Sequence, residues 1–187
     1  MKFIIFLILT IFFTRICYAD IGKETGLEIP RYVSLKSNDA NIRVGPSTNY
    51  PIVIKYIHMN YPLKIVEEYD DWRKIEDFNK NNGWIHKSLI SGNRTGIILS
   101  NNGDRIKIYN TIEGKIIGII GKGNIISINK CKIDWCSISI NEYKGWIYKN
   151  NIWGVEDTEI IDINFFQIVI DLYWKSFNNL EKISGIF

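Results

Sequence analysis

The sequence is poor in the residues that build metal and thiol chemistry. Its 187 residues include only two histidines and three cysteines. His58 and His86 stand in unlike settings and build no metal cluster, so no metal or other cofactor is expected. Charge of one sign is also missing: 23 Lys and Arg against 20 Asp and Glu leave a formal +3. That balance does not favour a nucleic-acid partner. The one long hydrophobic run, Phe3 to Phe13, covers eleven residues. A bilayer core needs about twenty, so the run does not read as a membrane span. Nor does any stretch before Asp157 show a convincing helical period, and the composition gives no sign of bulk disorder.

What the first residues do contain is an order. Lys2 precedes the apolar run, and Cys17-Tyr18-Ala19 follows with small residues at its first and third places. This is the order of a secretory signal peptide, residues 1–19, cut after Ala19. The alternative is an uncleaved anchor. Removing Lys2 and Arg15 lowers the formal charge from +3 to +1. Cys17 leaves as well, and the remaining even pair, Cys131 and Cys136, reads as a disulfide in an exported, periplasmic or secreted chain. A Cys-His hydrolase then lacks its nucleophile. Ser88 lies near His86 in sequence, but a triad is a spatial arrangement and spacing alone does not make one.

A repeat organises the rest. Asp71-Trp72 and Gly83-Trp84-Ile85-His86-Lys87 recur about 62 residues later as Asp134-Trp135 and Gly145-Trp146-Ile147-Tyr148-Lys149. Leu63-Lys64-Ile65 answers Ile126-Ser127-Ile128, Asn41 to Val44 answers Arg105 to Ile108, and Ser91-Gly92 falls level with Trp153-Gly154. A fixed period of this size means one structural unit used twice. Units of roughly 60 residues sit near the lower limit for independent folding, a limit that docking them together eases.

Residues 20–30 mix glycine, proline and acids without periodicity and read as a flexible leader. From Arg31 short runs of β-branched and aromatic residues recur at about ten-residue intervals between Gly, Pro, Asn and Asp punctuation. The first unit spans 31–92 with a charge of +2, the second 93–156 with +4. The tail, 157–187, differs. Its polar positions step by three and four from Asn164 to Lys182, leaving a wide aromatic and aliphatic face, so an amphipathic helix is expected from about Asp162 to Ile183. The tail's charge is −3, which together with its position favours docking on the second unit.

Asn41-Ile42-Arg43-Val44-Gly45-Pro46-Ser47, then Asp71-Trp72, then Gly83-Trp84-Ile85-His86, resembles the bacterial SH3 (SH3b) domains. The second unit, with Cys131, Asp134-Trp135-Cys136, Gly145-Trp146 and Trp153-Gly154, extends this to exported bacterial proteins with tandem SH3-like domains, over about residues 31–156. The resemblance implies a mainly β protein: two tandem small SH3-like β-barrels, followed by the C-terminal amphipathic helix. It also implies a non-catalytic role in binding cell-wall peptidoglycan or another envelope component. The alternative is an envelope adaptor that contacts proteins through its barrels and aromatic tail. The partner is thus a cell-wall peptide or an envelope protein. The second unit departs from the family pattern, since Tyr109-Asn110-Thr111 replaces Val44-Gly45-Pro46.

The candidate ligand residues are Arg43, Tyr50, Tyr56 and Tyr61. Strand alternation should expose Arg43, which then either clamps a carboxylate in bidentate fashion or pairs locally with Asp70 or Asp71. The three tyrosines lie in or beside turns, where rings can face solvent as platforms. Trp72, Gly83, Trp84, Trp135, Gly145 and Trp146 form the structural motif, with the tryptophans either in the cores or on ligand platforms. N-terminal sequencing of the protein from its native envelope is expected to begin at Asp20; an intact Met1 contradicts cleavage.

Overall fold

The computed structural model describes residues 20–99 and 105–161. The signal peptide and the tail helix lie outside the described residues. Among the described residues sixteen strands run in chain order. β1 (Asp20–Ile21) and β2 (Glu28–Ile29) form a small hairpin. The first unit contains β3 (Arg31–Leu35), β4 (Ala40–Arg43), β5 (Ile52–Tyr56), β6 (Pro62–Tyr69), β7 (Trp72–Glu76), β8 (Asn82–His86) and β9 (Ile90–Ser91). The second contains β10 (Thr95–Ile98), β11 (Arg105–Tyr109), β12 (Ile116–Gly121), β13 (Ile125–Cys131), β14 (Trp135–Ile140), β15 (Tyr143–Tyr148) and β16 (Ile152–Trp153).

The two sheets share one topology. Their orders, β5-β4-β8-β7-β6-β3-β9 and β12-β11-β15-β14-β13-β10-β16, match strand for strand. Of the two small barrels expected, the structure shows the two β sheets without closure: β5 and β9 are opposite edges of the first sheet and do not pair, nor do β12 and β16 of the second. The last strands are two residues long and spend their bonds on β3 and β10. So short a strand has few groups left with which to reach a second neighbour.

Alternation places the core as the sequence indicates. Leu35, Ile42, Leu63, Ile65, Ile75 and Ile85 are shut from solvent in the first module. Ile98, Ile126, Ile138 and Ile147 take the same roles in the second. Each such side chain contributes roughly 1.5–3 kcal/mol on burial. Asp70 and Asn141 adopt left-handed φ of 49° and 51°. They close tight hairpins, Tyr69 facing Trp72 and Ile140 facing Tyr143. Asp and Asn tolerate that region better than most residues. The Gly-Trp motif has a steric origin: a Cβ on Gly83 would stand 2.5 Å from Ile42 Cγ2 and 2.9 Å from the Arg43 carbonyl oxygen, where β8 lies close beside β4.

Register corrects one part of the repeat. Arg43 faces Trp84 and Tyr109 faces Trp146, so Arg43 corresponds to Tyr109 and not to Lys107. The other alignments agree with the ladders. Ile65 faces Ile75 as Ile128 faces Ile138, and both modules have a bulge just after that pair.

The leader also differs from expectation. Residues 20–29 pair as β1 and β2, with the Gly22 N–H donating to the Leu27 carbonyl at 2.8 Å. This hairpin wraps over Glu68, which is buried. Glu68 accepts from the N–H groups of Glu24 and Thr25, both at 3.0 Å, from Thr25 Oγ1 at 2.8 Å and from Arg31 Nη2 at 2.7 Å. The Arg73 guanidinium, also buried, lies 3.5 Å away. The ordering contacts span more than 40 residues of chain, which is why local composition does not reveal them.

The modules touch through Trp153. Its ring meets Tyr32 edge-on at 5.2 Å and Phe78 at 6.4 Å. Lys64 Nζ bonds Glu156 at 2.6 Å across the same junction. Arg94 stacks 5.6 Å from the Tyr32 centroid while its guanidinium binds Glu159. Docking thus joins units that are each small.

Burial pushes the Glu68 carboxyl up, but its hydrogen bonds from Arg31, Thr25 and two backbone amides outweigh this and bring it down to about 2. A lowered carboxyl pKa adds stability above the unfolded value, and that stability is lost as pH falls through the folded value. Wild-type stability should therefore decline between about pH 4.5 and 2. Glu68→Gln should cost about 3 kcal/mol at neutral pH by stranding Arg73, and should flatten that acid limb. Urea melts across this range check both effects; an unchanged limb removes Glu68 as the clamp.

Candidate functional site

The first module carries an open cleft of about 520 Å³. Val44, Val53 and Ile54 form one wall, Gly83 and Trp84 the floor, and Lys74, Lys80, Asn81 and Asn82 the polar wall. Strand geometry explains the composition. In β7, Arg73 and Ile75 turn inward while Trp72, Lys74 and Glu76 turn outward. Lys74 faces Trp84 on β8, with its Nζ 6.0 Å from the ring centroid. A cation over an indole face is held by the ring quadrupole. Lys74 also bonds Glu67 at 3.1 Å and Lys80 bonds Glu76 at 2.8 Å, both near the surface. Such exposed pairs are weak and exchange readily for a ligand carboxylate.

The polar wall has a buried foundation in Asp77. Its Oδ1 accepts from the N–H groups of Asn79 and Asn81, each at 2.9 Å, and its Oδ2 accepts from Asn81 Nδ2 at 3.0 Å and the Tyr56 hydroxyl at 2.8 Å. One carboxylate therefore shapes the turn that presents Lys80 and Asn81. Tyr61 packs 4.9 Å from Tyr56. Burial, then the charge of Asp77, pushes the Tyr61 hydroxyl up to about 12. Burial and the bond to Asp77 push Tyr56 up as well.

The predicted ligand residues divide on this basis. Tyr56, expected as a solvent-facing platform, is buried behind the cleft wall and supports it. Its turn lies beside a core position, and the inward register of β5 decides the ring's direction. Tyr61 is half-buried against the same core. Tyr50 remains exposed, on the turn bordering Val44. Arg43 is half-buried rather than exposed and does not pair with Asp70 or Asp71; its Nη1 donates to the Tyr50 carbonyl at 2.6 Å. Alternation holds along β4, with Ala40 and Ile42 buried, and ends with the strand at Arg43, so that Val44 beyond it is exposed. Lys74 and Lys80 are not among the residues the sequence singles out. The signal available was the outward phase of β7, obscured because Arg73, a charged residue, occupies an inward position.

The tryptophans are mainly structural. Trp84 and Trp135 are buried, while Trp72 and Trp146 are half-buried. In the second module Trp135 stacks on Tyr148 at 3.8 Å and meets Tyr109 edge-on at 5.3 Å. Cys131 and Cys136 form the expected disulfide.

His86, Ser88 and Asp71 do come together. Ser88 Oγ lies 2.8 Å from His86 Nδ1, and Asp71 Oδ2 lies 3.9 Å from Nε2. The arrangement caps a turn: His86 Nδ1 also accepts the Ser88 N–H at 3.3 Å at the start of the 3-10 turn Lys87–Leu89. Asp71 is engaged by Lys87 at 2.5 Å, which holds its carboxyl below the usual range. At 3.9 Å it makes no hydrogen bond that would orient the ring. Among the described residues no group of three or more His, Cys, Asp or Glu is placed to hold a metal. No helix among them is long and apolar enough to cross a membrane.

The chain is a tandem of small antiparallel β modules built on one topology. Residues 36–92 and 112–154, more than half of the chain, match the family model described as bacterial SH3 domain. The chain belongs to that family. No curated protein matches it. Similar solved structures include NlpC2 from Trichomonas vaginalis, at 12% identity and a TM-score of 0.30, covering 66% of this chain and 48% of that one. NlpC1 from the same organism has 12% identity and a TM-score of 0.28, covering 71% and 48%. An NlpC/P60 family protein from Bacillus cereus ATCC 10987 has 10% identity and a TM-score of 0.29, covering 75% and 61%. The chain thus spans about half to three-fifths of these structures' lengths, and likenesses this low carry no argument about activity.

Tyr56→Phe separates the supporting role from a ligand role. It removes one hydrogen bond from Asp77 and should lower stability by about 1 kcal/mol in a urea melt. An unchanged melt means the bond does not support the turn.

Proposed function

We propose that this is an exported, non-catalytic protein that binds the peptide part of the bacterial cell wall through the cleft of its first module. The observation that carries the reading is the cleft itself, where two ammonium groups, Lys74 and Lys80, stand beside an apolar floor and wall formed by Trp84, Val44 and Val53. Wall peptides offer carboxylates and small aliphatic side chains, which such a surface complements. Tyr50, at the bordering turn, is placed to extend the contact. Membership of the bacterial SH3 family supports a role at the cell wall. The disulfide is compatible with export, since such bonds persist in oxidising compartments.

The non-catalytic reading rests on the His86 cluster, whose serine and histidine are committed to a turn cap and whose acid is committed to Lys87. An envelope adaptor is the alternative, with a protein as the bound species.

Co-sedimentation with purified peptidoglycan tests the reading. The mature chain should pellet with the wall, and Lys74→Glu with Lys80→Glu should weaken this at least tenfold while the melting temperature stays unchanged. Binding should fall as salt rises, because the charges are near the surface. The wall should release no soluble fragments. Absence of pelleting, or pelleting indifferent to both substitutions, rejects the cleft as the binding site, and solubilisation rejects the non-catalytic reading.

A further inference from the structure

The two modules differ at one end of their cores. In the first, Tyr56, Tyr61 and Asp77 fill the space beneath the β4–β5 hairpin. The ladders place Ile120, Asn124 and Ile140 at the corresponding positions of the second. Two phenol rings give way to the smaller Ile120 and Asn124, the hydrogen-bonded carboxylate gives way to an apolar side chain, and a groove of about 410 Å³ opens there. Its lining is largely apolar, including Ile108, Ile117, Ile119, Ile138 and Ile140. Beside it runs β12, an edge strand with Ile116, Ile117 and Ile119 each more than half exposed and no charge between Ile116 and Gly121. Exposed apolar edges of this kind are normally covered or broken by charge. The equivalent edge, β5, carries Lys55, paired with Asp39 at 3.0 Å.

We infer that the occupant of this groove is the chain's own C-terminal segment, residues 162–187, whose aromatic side chains cover β12 and enter the space left by the missing tyrosines. The segment leaves the described structure in a suitable direction. Ile161 pairs antiparallel with Cys131 through two hydrogen bonds of 3.1 Å. Because β13 runs from Ile125 to Cys131, the chain beyond Ile161 sets out in the direction of Ile125 and Asn124; Arg94 and β10 already pair with β13 there, so the route to Asn124, which lines the groove, passes over a face of the sheet. The path along β13 is about 20 Å at roughly 3.3 Å per residue. Twenty-six residues follow Ile161. Even wound as a helix at about 1.5 Å per residue, they reach about 39 Å.

Composition agrees with the route. The segment contains Phe165, Phe166, Tyr173, Trp174 and Phe177, which the groove can shield from water. Residues 100–104, which join β10 to β11, read Ser-Asn-Asn-Gly-Asp and supply no apolar cover. Charge adds a bias, with −3 over residues 157–187 against +4 over 93–156 and Lys144 on the rim. Salt screens that attraction, so apolar burial dominates.

The test uses the whole mature chain. A benzophenone amino acid placed at Ile119 and photolysed should cross-link to residues 162–187 within a single chain, read by mass spectrometry of the monomer. In parallel, Ile117→Asp with Ile119→Asp should speed amide exchange in residues 162–187 at least tenfold. Val53→Asp, on the equivalent edge of the first module, should leave that exchange unchanged. Cross-links joining two chains assign the groove to a second copy, and absence of any cross-link to 162–187 leaves the tail elsewhere; either result overturns the inference. Should the double variant not fold, the cross-link alone decides. Wall binding by the first module is read separately and does not depend on the outcome.

Discussion

Glu68 faces Arg73 across the β6–β7 hairpin, and Cys131 faces Cys136 across β13–β14, on the same rung of the two ladders. That rung ties each module to a segment outside its sheet. Around Glu68 the amides of Glu24 and Thr25 gather the leader, and Arg31 fixes the entry to β3. At Cys131 the backbone pairs with Ile161 and so positions the exit from the second module. A buried carboxylate must be surrounded by donors to be tolerated, so Glu68 orders its surroundings. A disulfide makes no such demand. It closes a six-residue ring, which in the chain-entropy model is worth about 2 kcal/mol, and leaves the adjacent backbone available for Ile161. The same position is therefore stabilised by opposite means, one polar and one covalent.

The divergence at the far end of the cores follows a similar logic. Asp77 binds two backbone amides, Asn81 and Tyr56, and the resulting rigid turn holds Lys80 and Asn81 beside the cleft. Replacing this network by isoleucines removes the turn's scaffold together with its polar demands. The first module thus has a preorganised polar wall and a filled core end, and the second has an open apolar end. One topology carries two surfaces of different chemistry because the differences fall on side chains that do not set strand pairing.

Much of this fold was legible in the chain. The strands follow from short β-branched runs and their punctuation, and the repeated Gly-Trp falls where β8 pairs with β4 and β15 with β11. The candidate site was less legible. Arg43 follows from alternation but is held half-buried by its bond to the Tyr50 carbonyl, and Tyr56 and Tyr61 lie beside turns whose rings the core end takes inward. Lys74 and Lys80 acquire their setting only when β7 meets β8 and Asp77 folds the intervening turn. The leader read as flexible because its organising residue, Glu68, lies more than 40 positions away. Local pattern reports periodicity; it does not report which distant group satisfies a buried charge.

The junction between the modules shows why a repeat need not be symmetric. Ser91 and Trp153 occupy equivalent places, facing Ser34 and Ile97. Ser91 stays within its own module, its hydroxyl 3.0 Å from that of Ser34. Trp153 instead reaches across to Tyr32 and Phe78, while Arg94 and Lys64 bring their charges to the Tyr32 ring. An aromatic contact of this type adds about 0.5–1.5 kcal/mol beyond its buried area. Placed once, at the end of the second module, it docks that module onto the first. One side chain, changed at one of two equivalent places, therefore turns a repeat of matching topology into an asymmetric, docked pair.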